Sequence, residues 1–132
     1  MLRYMLDTNI CIHVIKDRPE YLRQKFNRSA EQICISSITL AELYYGAEKS
    51  EKQAANFAAI EQICGQLTVL PLVDRPAHHF AMIKCELERE GKPIGPYDLL
   101  IAGHARSEGL TLVTNNEREF ARVQGLRIAN WM

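Results

Sequence analysis

The sequence predicts a three-layer α/β/α domain with a central parallel sheet. Two observations carry this. Short apolar runs alternate with longer segments of helical periodicity, which is the order of βαβ units and places helices on both faces of a sheet. And 132 residues without an internal repeat, a low-complexity tract or a linker amount to one domain spanning 1–132, long enough to enclose a core.

In order, the first strand is expected over Arg3–Leu6, followed by a helix from about Asn9 to Lys16 that Asp7 or Thr8 can cap. A second helix fits Pro19–Asn27, and Ile33–Ile35 reads as a strand. Ser36–Ser50 reads as a helix, because Ile38, Leu40, Ala41, Leu43, Tyr44 and Ala47 supply a wide apolar face. Ser50-Glu51-Lys52-Gln53 matches a capping box that would open the next helix, to about Leu67. Thr68–Leu72 is a strand, and Asp74-Arg75-Pro76 starts a long helix that Gly91 ends. Gly95-Pro96 opens another helix, closed by Gly109. Leu110–Val113 is a strand, Glu117–Arg122 a short helix and Leu126–Ile128 a last strand.

Composition narrows the function. Hydrophobic residues at 47% and charged residues at 24% describe a soluble globular chain. No apolar run reaches the ~18 residues of a membrane span, and the first residues lack a signal-peptide pattern, so a cytoplasmic protein with no membrane association is expected. Sixteen basic residues balance sixteen acidic ones, unlike a nonspecific nucleic-acid coat protein. Cys11, Cys34, Cys64 and Cys85 form no C-x-x-C pair, which points to reduced, mostly buried thiols rather than zinc ligands.

The chemistry-bearing residues are acids at places where strands end, which is where open parallel sheets gather functional groups. Asp7 follows the first strand, Glu42 lies in the second turn of the helix after Ile33–Ile35, and Asp98 lies in the first turn after Gly95-Pro96. Asn115, Asn116 and Glu119 follow Leu110–Val113. Each has a rival explanation: Asp7 as a helix cap, Glu42 as the end of a Thr39-Leu40-Ala41-Glu42 capping box, Asp98 as a partner of the helix dipole, Asn116 to Glu119 as another cap. Acids meeting at one end of a sheet repel, and a hard divalent cation with oxygen ligands, Mg²⁺ or Mn²⁺, would relieve that repulsion. Spacing alone leaves metal site and helix capping level. A receiver-type Mg²⁺ domain would want paired acids after the first strand, which Leu6-Asp7-Thr8-Asn9 lacks. His104 sits in an apolar helix as a structural residue, and His13, His78 and His79 form no catalytic pair.

These same residues carry a resemblance. Met5-Leu6-Asp7-Thr8-Asn9 resembles the opening motif of PIN-domain nucleases. Ser36-Ser37-Ile38-Thr39-Leu40-Ala41-Glu42-Leu43 with Gly46 resembles their second motif, and Gly95-Pro96-Tyr97-Asp98-Leu99-Leu100-Ile101-Ala102 their third. Leu112-Val113-Thr114-Asn115-Asn116 with Glu119-Phe120 resembles the fourth, and the four occur in family order over almost the whole chain. Within that family the chain is most similar to VapC toxins of VapBC toxin–antitoxin pairs, as far as Gly125-Leu126-Arg127-Ile128-Ala129-Asn130-Trp131. The resemblance implies a PIN-like α/β/α fold and Mg²⁺-dependent endoribonuclease activity, with Mn²⁺ as substitute. It implies tRNA as substrate, with the anticodon loop of initiator tRNA favoured. It also implies a homodimer, a cognate VapB-type antitoxin, and operator DNA reached only through that antitoxin.

Carried over by position, Asp7, Glu42 and Asp98 are the catalytic acids and metal ligands. Many relatives have Asp where this chain has Asn116, and Glu119 is the acid available to replace that charge. Thr8, Asn9, Thr114 and Asn116 are expected to orient carboxylates or water. Arg18, Arg23 and Tyr97 are the expected RNA contacts, drawn from a wider basic set with Lys25, Arg28, Lys92, Arg106 and Arg118.

Overall fold

The middle strand of the sheet is the first one made. A computed structural model describes residues 1–132. In it β1 (Tyr4–Leu6) lies between β2 (Ile33–Ser36) and β4 (Thr111–Val113), with β3 (Thr68–Leu70) and β5 (Ile128–Ala129) at the edges. All four pairings are parallel, and Tyr4 stands opposite both Ile33 and Thr111. The chain winds outward through β2 and β3, then crosses back to the far side of β1. Connections therefore leave β1 and β4 in opposite directions and open a crevice beyond their carboxyl ends.

Helices cover both faces: α1 (Thr8–Lys16), α2 (Glu20–Ser29), α3 (Ser37–Glu48), α4 (Gln53–Cys64), α5 (Asp74–Arg89), α6 (Pro96–Ser107) and α7 (Glu117–Phe120). Successive strand residues point to opposite faces, which sorts the core in two. Leu6, Ile33, Ile35 and Val113 join Ile10, Val14, Phe26, Leu43 and Ile60 on one side. Met5, Cys34 and Leu112 join Ile83, Leu87, Leu99 and Ile101 on the other. Both faces being apolar is why the strands read as short continuous runs.

The expected elements are present, most of them with ends shifted by one or a few residues. The last strand starts at Ile128 rather than Leu126. Leu110 precedes β4 because its N–H is taken by Ala105 O, completing with Gly109 (φ +67°) the turn that ends α6. Two capping boxes do not form. Helix α4 starts only at Gln53 with no side-chain cap, while the Ser50 hydroxyl donates to Ala47 O at 2.7 Å and accepts from Asn56 Nδ2 at 2.8 Å. These residues therefore join the end of α3 to α4. Nor does Thr39 cap α3, because the helix begins earlier, under the Ser36 hydroxyl, which accepts from the Ile38 N–H. All four cysteines are free. Cys11 and Cys34 are buried, Cys64 is half-buried and Cys85 is exposed on α5, so burial describes only the first two. Burial pushes the Cys34 thiol up to about 12.

No helix is long and apolar enough to cross a membrane. Among the glycines, Gly103 of α6 has the least room: an added Cβ would stand 2.7 Å from Phe80 N and 2.9 Å from Phe80 Cα of α5. Backbone cannot yield as a side-chain tip can, so Gly103→Ala is expected to destabilise by about 1–3 kcal/mol. At Gly46 of α3 nothing lies within 4 Å of the added atom. There the same change should stabilise by about 0.5–1 kcal/mol, through lower chain entropy alone. Urea denaturation of both variants checks the opposite signs.

Candidate active site

Asp7 is where sheet, helix and site meet. Its N–H continues the ladder to Val113 O at 3.0 Å, and its carboxylate caps α1 by accepting from the Ile10 N–H at 2.9 Å. The capping explanation for Asp7 is thus correct as far as it goes. It does not account for the burial: Asp7 is only 3% exposed. That burial raises its pKa above the ordinary carboxyl value. Hydrogen bonds from Thr114 and Ile10 offset part of the effect, and the Glu42 charge adds to it.

Glu42 arrives on α3 and is held from the side. The Thr8 hydroxyl donates to its Oε1 at 2.6 Å, and the buried Thr39 hydroxyl lies 3.3 Å from Thr8 Oγ1. Thr39 therefore supports Thr8 instead of capping a helix. Asp98 stands in the first turn of α6, half-buried. Desolvation first, then the charges of Asp7, Glu42 and Glu119, raise its pKa to about 6. After β4, Thr114 Oγ1 accepts from the Asn116 N–H at 2.8 Å, and Asn116 Nδ2 donates to Glu119 Oε2 at 2.7 Å. Asn116 and Glu119 thus work as one unit: the amide nitrogen is held by the acid, and the amide oxygen remains the free acceptor.

These elements enclose a cleft of about 750 Å³ lined by Asp7, Thr8, Asn9, Glu42, Asp98 and Asn116, with Tyr45, Lys49 and Tyr97 among the other lining residues. The donor set is all oxygen, which suits a hard divalent cation and not zinc. No three acidic, histidine or cysteine side chains close into a ready-made cage. The set therefore fits a cation such as Mg²⁺, which keeps several waters and takes one or two carboxylates.

Of the residues expected from sequence, Asp7, Thr8, Asn9, Glu42, Tyr97, Asp98 and Asn116 come together at the cleft. Thr114 and Glu119 stand behind it. Arg23 Nη1 donates to Val14 O at 2.9 Å, closing the end of α1, and Arg18 is exposed on the turn before α2. No member of the wider basic set lines the cleft, whereas Lys49 does. Neither Tyr45 nor Lys49 is among the residues expected from sequence. Their signal was available, since Tyr45, Gly46 and Lys49 follow Glu42 at i+3, i+4 and i+7, on one helix face. His104 is structural as expected. Fully buried, it sets Nδ1 2.8 Å from Ser36 Oγ, the cap of α3, so it ties α6 to the helix that carries Glu42. Its Nε2 has no partner, and burial lowers its pKa, keeping the ring neutral.

A model of the PIN domain matches residues 4–126. Ribonuclease VapC2 of Haemophilus influenzae is 57% identical over 132 residues, 100% of both chains. The tRNA(fMet)-specific endonuclease VapC of Salmonella typhimurium is 53% identical over 131 residues, 99% of both. Among solved structures, DNA-bound VapBC from Salmonella typhimurium superposes with a TM-score of 0.96 at 52% identity, covering 100% of both chains. VapBC2 of Rickettsia felis, bound to a promoter DNA fragment, gives 0.94 at 39% identity, covering 99% of this chain and 100% of that one.

The raised carboxyl at Asp98 makes a signed prediction. The folded chain holds that proton more tightly than the unfolded chain, so the contribution to stability is full below the ordinary value of 3.8 and lost as pH rises through about 6. In chelator, Asp98→Asn should melt above the parent at pH 7 and lose that advantage toward pH 5. A melting difference that is the same at both pH values would contradict the electrostatic origin.

Proposed function

The chain belongs to the PIN-domain family and, within it, to the VapC proteins, and on that premise we propose that it is the toxin ribonuclease of a VapBC pair, a metal-dependent endoribonuclease. The observation that carries the reading is the convergence of Asp7, Glu42 and Asp98 on one cleft, with two of the three pKa values raised. Carboxylates are not gathered at such a cost to one another for packing alone.

Asp7, Glu42 and Asp98 are the residues that would hold Mg²⁺ or Mn²⁺. When bound, such a cation lowers the pKa of the attacking water and neutralises charge on the phosphate. The chain's own contribution is orientation. Thr8 holds one oxygen of Glu42, the Ile10 N–H and Thr114 hold Asp7, and Glu119 turns the Asn116 oxygen free to accept from water. Water adds to phosphorus and the P–O3′ bond breaks, leaving a 5′-phosphate and, once the departing oxygen takes a proton, a 3′-hydroxyl. None of the four histidines lines the cleft, which leaves attack by the 2′-hydroxyl without an imidazole base.

The substrate in this reading is the anticodon loop of initiator tRNA, supported by the name of the Salmonella relative. The partner is a VapB-type antitoxin, and operator DNA is reached through it. That fits a toxin of formal net charge zero and relatives solved as DNA-bound VapBC complexes. Self-association as a homodimer belongs to the same reading. Tyr44, 41% exposed although it packs against Phe57, offers apolar surface for it.

Incubation with a tRNA pool and Mg²⁺ or Mn²⁺ tests the proposal. Cleavage should stop with chelator and fall more than ~100-fold in Asp7→Asn and Asp98→Asn, beyond what losing a supporting partner costs. End mapping should place one break in the initiator tRNA loop. Cleavage that survives chelation would sink the metal mechanism.

A further inference from the structure

Helix α3 delivers more than an acid to the cleft. Glu42, Tyr45, Gly46 and Lys49 share one face and all line the cleft. Lys49 is the single cation among the lining residues, and its Nζ lies 4.8 Å from the centre of the Tyr45 ring. No carboxylate takes it, since the one ion pair in the molecule joins Lys84 and Glu88. Lys49 also caps α3, where the negative end of the helix dipole favours a cation. Tyr45 is 66% exposed, and Tyr97, on the α6 side of the same cleft, is 58% exposed. Between Tyr45 and Lys49 the chain has Gly46, with nothing within 4 Å of where a Cβ would stand, so the approach is open.

We propose that Tyr45 and Lys49 form a binding wall for one unpaired nucleotide next to the phosphate that is cut, the base stacking on Tyr45 and its phosphate paired with Lys49. This rests on the ribonuclease reading of the cleft. A phosphate suits the lone lysine, and the ring already carries a cation on one side and is open to solvent. A base within a duplex has no free face to offer, so the wall selects single-stranded RNA. A cleft of about 750 Å³ has room for a nucleotide beside the acids.

The test uses a fluorescein-labelled single-stranded RNA octamer and the full chain carrying Asp7→Asn, which preserves the helix cap but removes a catalytic acid. Anisotropy in Mg²⁺ gives the affinity. Tyr45→Ala should weaken binding roughly 5- to 100-fold, whereas Tyr45→Phe should bind as the parent does. Lys49→Ala should reduce the slope of log K against log salt by about 0.7. The octamer annealed to its complement should show no Tyr45 effect. With Asp7 restored, Tyr45→Ala should raise KM for a single-stranded substrate more than it lowers kcat. Unchanged melting temperatures exclude misfolding as the cause.

Equal affinity of Tyr45→Ala and parent for the octamer overturns the proposal and leaves the wall to a protein segment. Equal loss on single strand and duplex also overturns it, because stacking is then not what is read. If binding follows Tyr45 as expected but the parent cuts no RNA, the ribonuclease reading fails while the wall stands. If the parent cuts and the Tyr45 and Lys49 variants bind and cut like it, only the wall fails.

Discussion

A carboxylate withdrawn from water at the end of the middle strand is the constraint around which this molecule is arranged. Asp7 closes the β1–β4 ladder, starts α1 and faces the cleft, all within one residue. Burying an acid is unfavourable unless its oxygens are satisfied. Two groups that satisfy them, the Ile10 N–H and Thr114, come from α1 and from the end of β4. Sheet order is thereby tied to chemistry: β4 must lie beside β1 for Thr114 to reach Asp7. The crevice at that switch in strand order receives Glu42 and Asp98, and their mutual repulsion raises the Asp98 carboxyl further. A cation is the simplest relief for such a group of charges.

Much of this was legible in the sequence. Runs such as Ile33–Ile35 and Leu110–Val113 are apolar on both sides because both sheet faces are covered, and Gly91 and Gly109 end helices by adopting positive φ. Asp7 could be found because it follows a strand, Asp98 because it lies in the first turn of a helix, and Glu42 because it lies in the second turn of the helix after β2. What could not be read depends on where a helix actually begins. Thr39 to Glu42 and Ser50 to Gln53 both satisfy the capping pattern, and neither is a cap. Ser36 starts α3 earlier under a hydroxyl that His104 also engages, a contact 68 residues away in the chain. A four-residue pattern carries no information about such a partner. The order of the strands was likewise hidden, since alternation implies parallel pairing but not which strand crosses over.

Helix α3 divides its labour between its faces. One face is fixed: Leu43 and Ala47 sit in the core, and Ser36 and His104 tie the start of the helix to α6. Another face turns Tyr45 and Lys49 outward into the cleft. The acids are thus set by rigid packing, including the backbone contact of Gly103 with Phe80. Residues able to distinguish one nucleic acid from another lie where substitution disturbs little else.

The strand order also has a consequence for biosynthesis. The first strand to leave the ribosome is the central one, yet its partner β4 comes only at residues 111–113, and β5, which covers β4, at 128–129. Trp131 then packs edge-on against Tyr4, the two ring centres 5.0 Å apart. Until residues 111–120 are in place Asp7 has no Thr114 beside it and the cleft has only part of its lining. A chain in which β1, β2 and β3 have paired but β4 and β5 have not still lacks a complete site, however well formed the rest of the sheet is.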